Sequence, residues 1–363
     1  MSSEFRIAIN TGGGDAPGLN AVIRAATLSA LGRGWEVLGI QRGYDGLFQE
    51  GGVVPLTRPS VRGITHQGGT ILGTTNRGDP FSFPVTDEDG TVRLVDRSDE
   101  AVQALADLGV DCLIAVGGDG SLAIASQLAK KGVQVIGVPK TIDNDLAATT
   151  VTFGFHTAVD TATEAIDKLH STAEAHRRVM VVELMGRHAG WIALFAGVAA
   201  TADAILIPEI PYDLEKVAEK IDERWARGRE FAIVVVAEGA KPLGGEASYL
   251  ERRAVGGARR LGGAADHIAQ VLGRLTGRET RSLVLGHLQR GGSPIAYDRV
   301  LALRFGAAAV ELAAAGHFGC MVALDPPEVK PVPLAEAIDH LKTVPVDGDV
   351  VRTARAMGVS FGD

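Results

Sequence analysis

The sequence predicts an α/β protein built from two doubly wound, mostly parallel domains. Three observations lead there. Short β-rich runs alternate with longer helical ones along the chain, which is the pattern of strands joined by crossover helices. Glycine clusters stand directly after several of those runs. The length, 363 residues, suits two helix-covered sheets better than one. Residues 7–9 read as the first strand, followed by a glycine loop and a helix over 19–31, with a second strand at 37–40. A strand at 112–116, another glycine loop and a helix over 121–131 repeat the unit, and a strand at 133–138 follows. In the second half, 179–184, 204–207, 232–236 and 282–285 read as buried strands. Helices near 157–172, 214–227 and 264–275 separate them. The apolar run 189–202 ends at Asp203, is too short to span a bilayer, and reads as a buried core helix. Two stretches break the rhythm. Residues 84–100 are charged and contain Asp89-Gly90, a hairpin signal. Residues 241–263 are rich in glycine and arginine (Arg252, Arg253, Arg259, Arg260), either a solvated loop or a mobile basic loop beside an anionic site.

Composition removes several function classes. With 46% hydrophobic and 22% charged residues, the chain can bury a core, and overall disorder is excluded. A net charge of −8 and only 5% aromatic residues argue against a nucleic-acid partner. An anionic small substrate then requires arginines concentrated at its site. Cys112 and Cys320 are too few for a disulfide framework, which points to a reduced, cytoplasmic setting. Residues 1–6 are polar and run straight into an apolar strand, so neither a signal peptide nor a membrane partner is expected.

The glycine loops are candidates for the chemistry, with tight packing of the turns, and a turn or cap role for Asp119, as the plain alternative. Gly12, Gly13 and Gly14 follow the first strand and open a helix, which lets backbone N–H groups face a phosphate. This is no dinucleotide fingerprint, because the third glycine of G-x-G-x-x-G would fall on Pro17, and no G-K-[ST] occurs. Gly117, Gly118, Asp119, Gly120 and Ser121 repeat the arrangement with an aspartate inside it. A carboxylate beside phosphate-binding amides repels the ligand unless a cation lies between, so Asp119 reads as a Mg²⁺ ligand. Lys140, Thr141, Asp143 and Asp145 follow the next strand, at the end where open α/β sheets place their chemistry. One of the two carboxylates could take a proton from an attacking hydroxyl while the other orients a partner charge.

These loops, with Gly68-Gly-Thr-Ile-Leu-Gly73, Met185-Gly-Arg187 and Leu285-Gly-His-Leu-Gln-Arg-Gly-Gly-Ser-Pro294, occur in an order that resembles the bacterial-type 6-phosphofructokinase family from about residue 5 to residue 310. The resemblance implies two doubly wound α/β domains, a homo-oligomer (tetramer or dimer), and transfer of a phosphoryl group, with Mg²⁺, to the 1-hydroxyl of fructose 6-phosphate. It implies a donor and Mg²⁺ domain over 1–154 with 289–339, and a fructose 6-phosphate domain over 155–288 with 340–363. Asp143 matches the general base, with Thr141 in the same catalytic loop. Asp119 matches the metal-binding aspartate, and Gly14, Gly118, Gly120 and Ser121 lie near the donor. Met185, Gly186 and Arg187 match sugar and transition-state contacts. Glu238 matches a sugar-hydroxyl contact, and His287 and Arg290 match groups on the 6-phosphate. Arg178 and Arg281 match arginines that reach across from a neighbouring subunit.

The donor is where the motifs are mixed. In the family, glycine at the position of Gly120 goes with ATP and aspartate there with pyrophosphate, whereas lysine at the position of Lys140 is usual in pyrophosphate enzymes. Gly120 decides whether a nucleotide fits at all, so ATP is expected, with pyrophosphate as the alternative. Asn76 stands where the well-known bacterial enzymes have a donor-contacting arginine, and Arg77 follows one residue later. NAD and lipid kinases share a Gly-Gly-Asp-Gly loop but leave the Asp143 loop and His287–Arg290 without a role.

Overall fold

The computed structural model describes residues 5–87, 89–251 and 260–363. In chain order the elements begin β1 (Arg6–Thr11), α1 (Leu19–Gly32), β2 (Glu36–Ile40), β3 (Val53–Pro55), β4 (Phe83–Thr86), β5 (Val92–Val95) and α2 (Ser98–Asp107). They continue β6 (Cys112–Gly117), α3 (Asp119–Lys130), β7 (Val135–Pro139), α4 (Phe155–His176), β8 (Val179–Leu184), α5 (Trp191–Ala199), β9 (Ala204–Leu206) and α6 (Leu214–Ala226). Next come β10 (Ala232–Ala237), β11 (Tyr249–Glu251), β12 (Arg260–Leu261), α7 (Ala264–Thr276), β13 (Thr280–Val284) and α8 (Ala296–Ala314). The chain closes with β14 (Cys320–Asp325), β15 (Glu328–Pro333), α9 (Leu334–Ile338) and α10 (Asp349–Ala356).

The chain divides into two compact units. The first comprises Met1–Ile142, Leu146–His156 and Arg290–Leu341; the second comprises Asp143–Asp145, Thr157–Gln289 and Lys342–Asp363. Asp143–Asp145 group with the second unit, whereas the sequence reading assigns them to the first.

The first unit is a seven-stranded sheet in the order β15-β14-β7-β6-β1-β2-β3. Its five inner strands are parallel, and β3 and β15 pair antiparallel at the edges. The chain leaves β1 to one side for β2 and returns on the other for β6, so the order reverses between β1 and β6. Such a switch point opens a crevice at the carboxyl ends of the strands. β6 is buried at every position, as a central parallel strand covered on both faces must be. The Asp89-Gly90 signal is met by the β4–β5 hairpin, and the charged stretch then runs into α2.

The second unit has a four-stranded, wholly parallel sheet in the order β13-β8-β10-β9. Its core includes Val181, Val234, Val236, Leu206 and Ile268. The apolar run after Ala189 is the core helix α5, buried along one side. At the tip of α6, Asp213 caps the helix, accepting from the Glu215 amide at 2.9 Å. Of the arginine-rich loop, Arg252, Arg253 and Arg259 lie outside the described residues.

No counterpart of α8, β14 or β15 appears in the sequence reading. α8 is rich in alanine and carries Gly306 at its crossing with α1, where an added Cβ would stand 2.5 Å from the Val22 carbonyl and 2.9 Å from the Ala25 Cβ. Replacing Gly306 with alanine gains up to about 1 kcal/mol of helix propensity, while overpacking costs typically 1–3 kcal/mol. The substitution should therefore lower the melting temperature, which thermal denaturation by circular dichroism checks; a rise would contradict the packing.

Candidate functional site

In the first unit the predicted donor residues gather at the switch point. The Gly12 amide donates to the Val116 carbonyl at 2.9 Å, and the Lys140 amide to the Gly117 carbonyl at 2.9 Å, so the loops after β1, β6 and β7 are stitched side by side. The closeness requires glycine. A Cβ on Gly12 would come within 2.7 Å of the Ser121 Oγ, and one on Gly117 would overlap the Ser121 side chain. Lys140 is buried, and its Nζ donates to the Gly14 carbonyl. Gly118 caps α3 without a side chain, which leaves the first-turn N–H groups of the helix for an anion.

The exposed Asn76 and Arg77 belong to the same cluster. The Thr74 Oγ1 donates to the Gly13 carbonyl at 2.6 Å, and the Gly13 amide to the Thr75 carbonyl at 3.1 Å. The loop at 67–71 is tied down by Asn20, whose Nδ2 donates to the Gln67 carbonyl at 3.2 Å and whose Oδ1 accepts from the Ile71 amide at 2.8 Å. Thr141 is buried, and its carbonyl accepts from the Thr152 Oγ1 at 2.7 Å. The Nη1 of Arg290 donates to the Asp15 carbonyl at 3.1 Å and stands 2.8 Å from where a Gly14 Cβ would be. A guanidinium has five N–H donors, so this single bond leaves Arg290 capacity for a ligand.

Asp119 is the first residue of α3 and is exposed. Among the described residues, no three His, Cys, Asp or Glu side chains converge on a common point as a metal cage. One exposed carboxylate at a helix N-terminus nevertheless fits Mg²⁺, which is commonly held by one or two carboxylates together with substrate phosphates and water.

In the second unit the predicted sugar residues lie at the carboxyl ends of neighbouring strands: Met185, Gly186 and Arg187 after β8, Glu238 after β10, and His287 after β13. The Glu238 amide donates to the Leu184 carbonyl at 2.8 Å, and the Gly239 amide to the Gly186 carbonyl at 3.1 Å. Gly186 has φ 141°, a backbone conformation that favours glycine. Asp143 and Asp145 are half-buried on either side of Asn144, a buried residue in the left-handed region at φ 52°. Arg178 and Arg281 are not brought to this end. Both pair with Glu279, at 3.1 and 2.7 Å, and Arg178 precedes β8 while Met185 follows it. At about 3.3 Å per residue the strand separates them by ~20 Å.

Buried acceptors that the sequence reading passed over hold these loops. Gln289, fully buried, accepts from the Met185 amide at 3.3 Å and donates to the Gly286 carbonyl at 3.1 Å. Glu209 accepts from the Gly190 amide at 3.0 Å and the Val344 amide at 2.8 Å. Glu183 accepts from the Ala265 amide at 2.9 Å, at the N-terminus of α7. Burial pushes the Glu183 and Glu209 carboxyls above the usual carboxylate range, more than their backbone hydrogen bonds lower them. Burial also drives the Lys342 ammonium down to about 8, against the opposing pull of Asp145. A signal for Gln289 was present in the quoted motif; Glu209, Glu183 and Lys342 stand in stretches without one.

A family model described as phosphofructokinase matches residues 6–313. The chain is similar to an ATP-dependent 6-phosphofructokinase of Chloroflexus aurantiacus, 53% identical over 362 residues, covering 100% of this chain and 99% of the relative. It is also similar to a pyrophosphate–fructose 6-phosphate 1-phosphotransferase of Amycolatopsis mediterranei, 50% identical over 347 residues, covering 94% of this chain and 97% of that one. Among solved structures, Pichia pastoris phosphofructokinase in the T-state superposes with a TM-score of 0.79 at 30% identity, covering 93% of this chain and 36% of that chain.

The raised Glu183 carboxyl gives a pH test. Its ionised form is disfavoured by the fold, so the destabilisation is complete above the folded pKa. It fades as pH falls through that value toward the unfolded one. Glu183→Gln removes the titration. The melting temperature of the natural protein relative to this variant should therefore rise as pH is lowered from 8 toward 5. A difference that is flat with pH would contradict the burial.

Proposed function

Because the chain belongs to the phosphofructokinase family, we propose that it is a 6-phosphofructokinase, transferring the γ-phosphoryl group of ATP to the 1-hydroxyl of fructose 6-phosphate and giving fructose 1,6-bisphosphate and ADP. The observation that carries the donor is Gly120. Its φ is not in the left-handed region, and a Cβ there would meet nothing within 4 Å. In the first turn of α3 a glycine costs up to about 1 kcal/mol relative to alanine. Packing inside the protein supplies no reason for it. Space outside the protein does: a nucleotide continuing past its β-phosphate needs the room that a carboxylate would fill and charge. Pyrophosphate is the alternative donor, favoured by the buried Lys140.

The residues then take the following parts. The amides of the Gly14 and Gly118 loops and of the α3 N-terminus, with Ser121, Asn76 and Arg77, hold the donor phosphates. Asp119 would hold Mg²⁺ together with the donor phosphates, and the ion would supply charge neutralisation. Met185, Gly186 and Glu238 orient the sugar, and His287 and Arg290 hold its 6-phosphate. Asp143 accepts the proton of the 1-hydroxyl as the sugar oxygen bonds to the γ-phosphorus and the bond to the β,γ-bridging oxygen breaks. Arg187 faces charge that develops on the moving group, where a forked guanidinium serves better than an ammonium. Arg178 and Arg281, remote from this end of their own sheet, complete the sugar-phosphate site of a neighbouring copy in a homo-oligomer. The enzyme works in glycolysis in the cytoplasm. No described helix is long and apolar enough to cross a membrane.

A general base is worth roughly 10²–10⁴-fold in rate. Asp143→Ser should accordingly lower kcat for fructose 1,6-bisphosphate formation by about two orders of magnitude or more, with a modest change in KM. A coupled steady-state assay checks it; near-normal turnover would remove Asp143 from the role.

A further inference from the structure

Lys342 stands between the base loop and the sugar loop of the second unit. Its Nζ donates to the Asn144 Oδ1 at 2.9 Å, and its amide to the Asp145 carbonyl at 2.8 Å. Its own carbonyl accepts from the Trp191 Nε1 at 2.9 Å, and its ammonium lies 6.0 Å from the centre of the Trp191 ring. Two residues on, the Val344 amide donates at 2.8 Å to Glu209, which also receives the Gly190 amide at 3.0 Å. The segment 342–344 is therefore fastened on one side to Asn144 and Asp145. On the other side it is fastened to the start of α5, which follows Arg187 by only a few residues.

Asn144 adopts left-handed backbone, a conformation asparagine tolerates better than other non-glycine residues, and its side chain is held there by Lys342. Asp143 and Asp145 flank this reversal directly.

We infer that Lys342 is a positioning residue of the phosphoryl transfer: its ammonium and amide clamp Asn144 and Asp145 and thereby hold the Asp143 carboxylate in register with the Arg187 loop. This deepens the kinase reading above and rests on it. The partial burial of the ammonium supports the role. Its charge is disfavoured where it sits, with its pKa brought to about 8, whereas an apolar side chain of similar length would carry no such cost.

The test uses the full-length chain with Lys342→Met, and Lys342→Gln as a second variant that keeps a donor should the first not fold. Two readouts are taken: kcat and KM for fructose 6-phosphate with Mg·ATP, and amide hydrogen exchange of the 143–145 segment. A clamp predicts a kcat at least tenfold lower in Lys342→Met, a KM within threefold, and exchange at 143–145 at least tenfold faster. Asn144→Gly, which keeps the left-handed backbone accessible, should lower kcat similarly, and adding Lys342→Met to it should cost less than a further twofold. A folded variant with kcat within twofold of the natural protein, or unchanged exchange at 143–145, overturns the inference. So does a double variant whose losses simply multiply. If the natural protein phosphorylates fructose 6-phosphate from neither ATP nor pyrophosphate, the kinase reading fails. The exchange readout alone then decides whether Lys342 holds the loop.

Discussion

Close approach of backbone to backbone at the carboxyl ends of β1, β6 and β7 is the constraint on which the first unit depends. The loops after these three neighbouring strands meet there through main-chain hydrogen bonds, and Gly12 and Gly117 leave the space that Ser121 fills. The buried Lys140 ammonium anchors the Gly14 carbonyl in the same place. The result is a set of N–H groups gathered beside one helix terminus. Preorganised dipoles of this kind stabilise an anion without reorganising when it binds. Asp119 stands exposed at the start of the same helix, a carboxylate that the proposed reading pairs with a cation.

The second unit solves a different problem. Its strand-end loops carry side chains rather than bare amides, and those side chains must be aimed. The backbone of these loops is held by acceptors, buried at Gln289 and Glu183 and half-buried at Glu209: Gln289 to Met185, Glu209 to Gly190 and Val344, Glu183 to the start of α7. Each spends part of its hydration to satisfy backbone N–H groups that would otherwise be left without partners, and the upward shift of the two glutamates records that burial. Phosphoryl transfer asks little covalent chemistry of a protein and much positioning, and both units meet that demand.

What the sequence makes legible follows from the range of the interactions. β6 and β10 are continuous apolar runs bounded by glycine or charge, and each is visible as such. The glycine loops are visible because the local backbone needs them. α8 is not, since alanine and glycine on its buried side serve close contact with α1 and leave no contrasting stripe. Strands β14 and β15 follow it near the end of the chain, beyond the last of the quoted motifs, which ends at Pro294. Glu209 and Lys342 look like solvated charges in sequence. Their partners lie 135 and 198 residues away, at Val344 and Asn144, and only the fold reveals them. The role expected of Arg178 and Arg281 rests on the resemblance alone, because one chain places them at the far end of β8 and β13 from Met185 and His287.

The donor site rests on Gly120 being small for the sake of a nucleotide rather than of the fold. The most direct measurement is kcat/KM for Mg·ATP and for Mg·pyrophosphate in Gly120→Asp beside the natural protein. An acidic residue in the first turn of a helix is itself favourable, so the fold should be unharmed. Placing like charge against the nucleotide costs several kcal/mol, which predicts a fall of about 100-fold or more with ATP and little or none with pyrophosphate. ATP efficiency within threefold of the natural protein, in a variant that melts normally, would contradict the account.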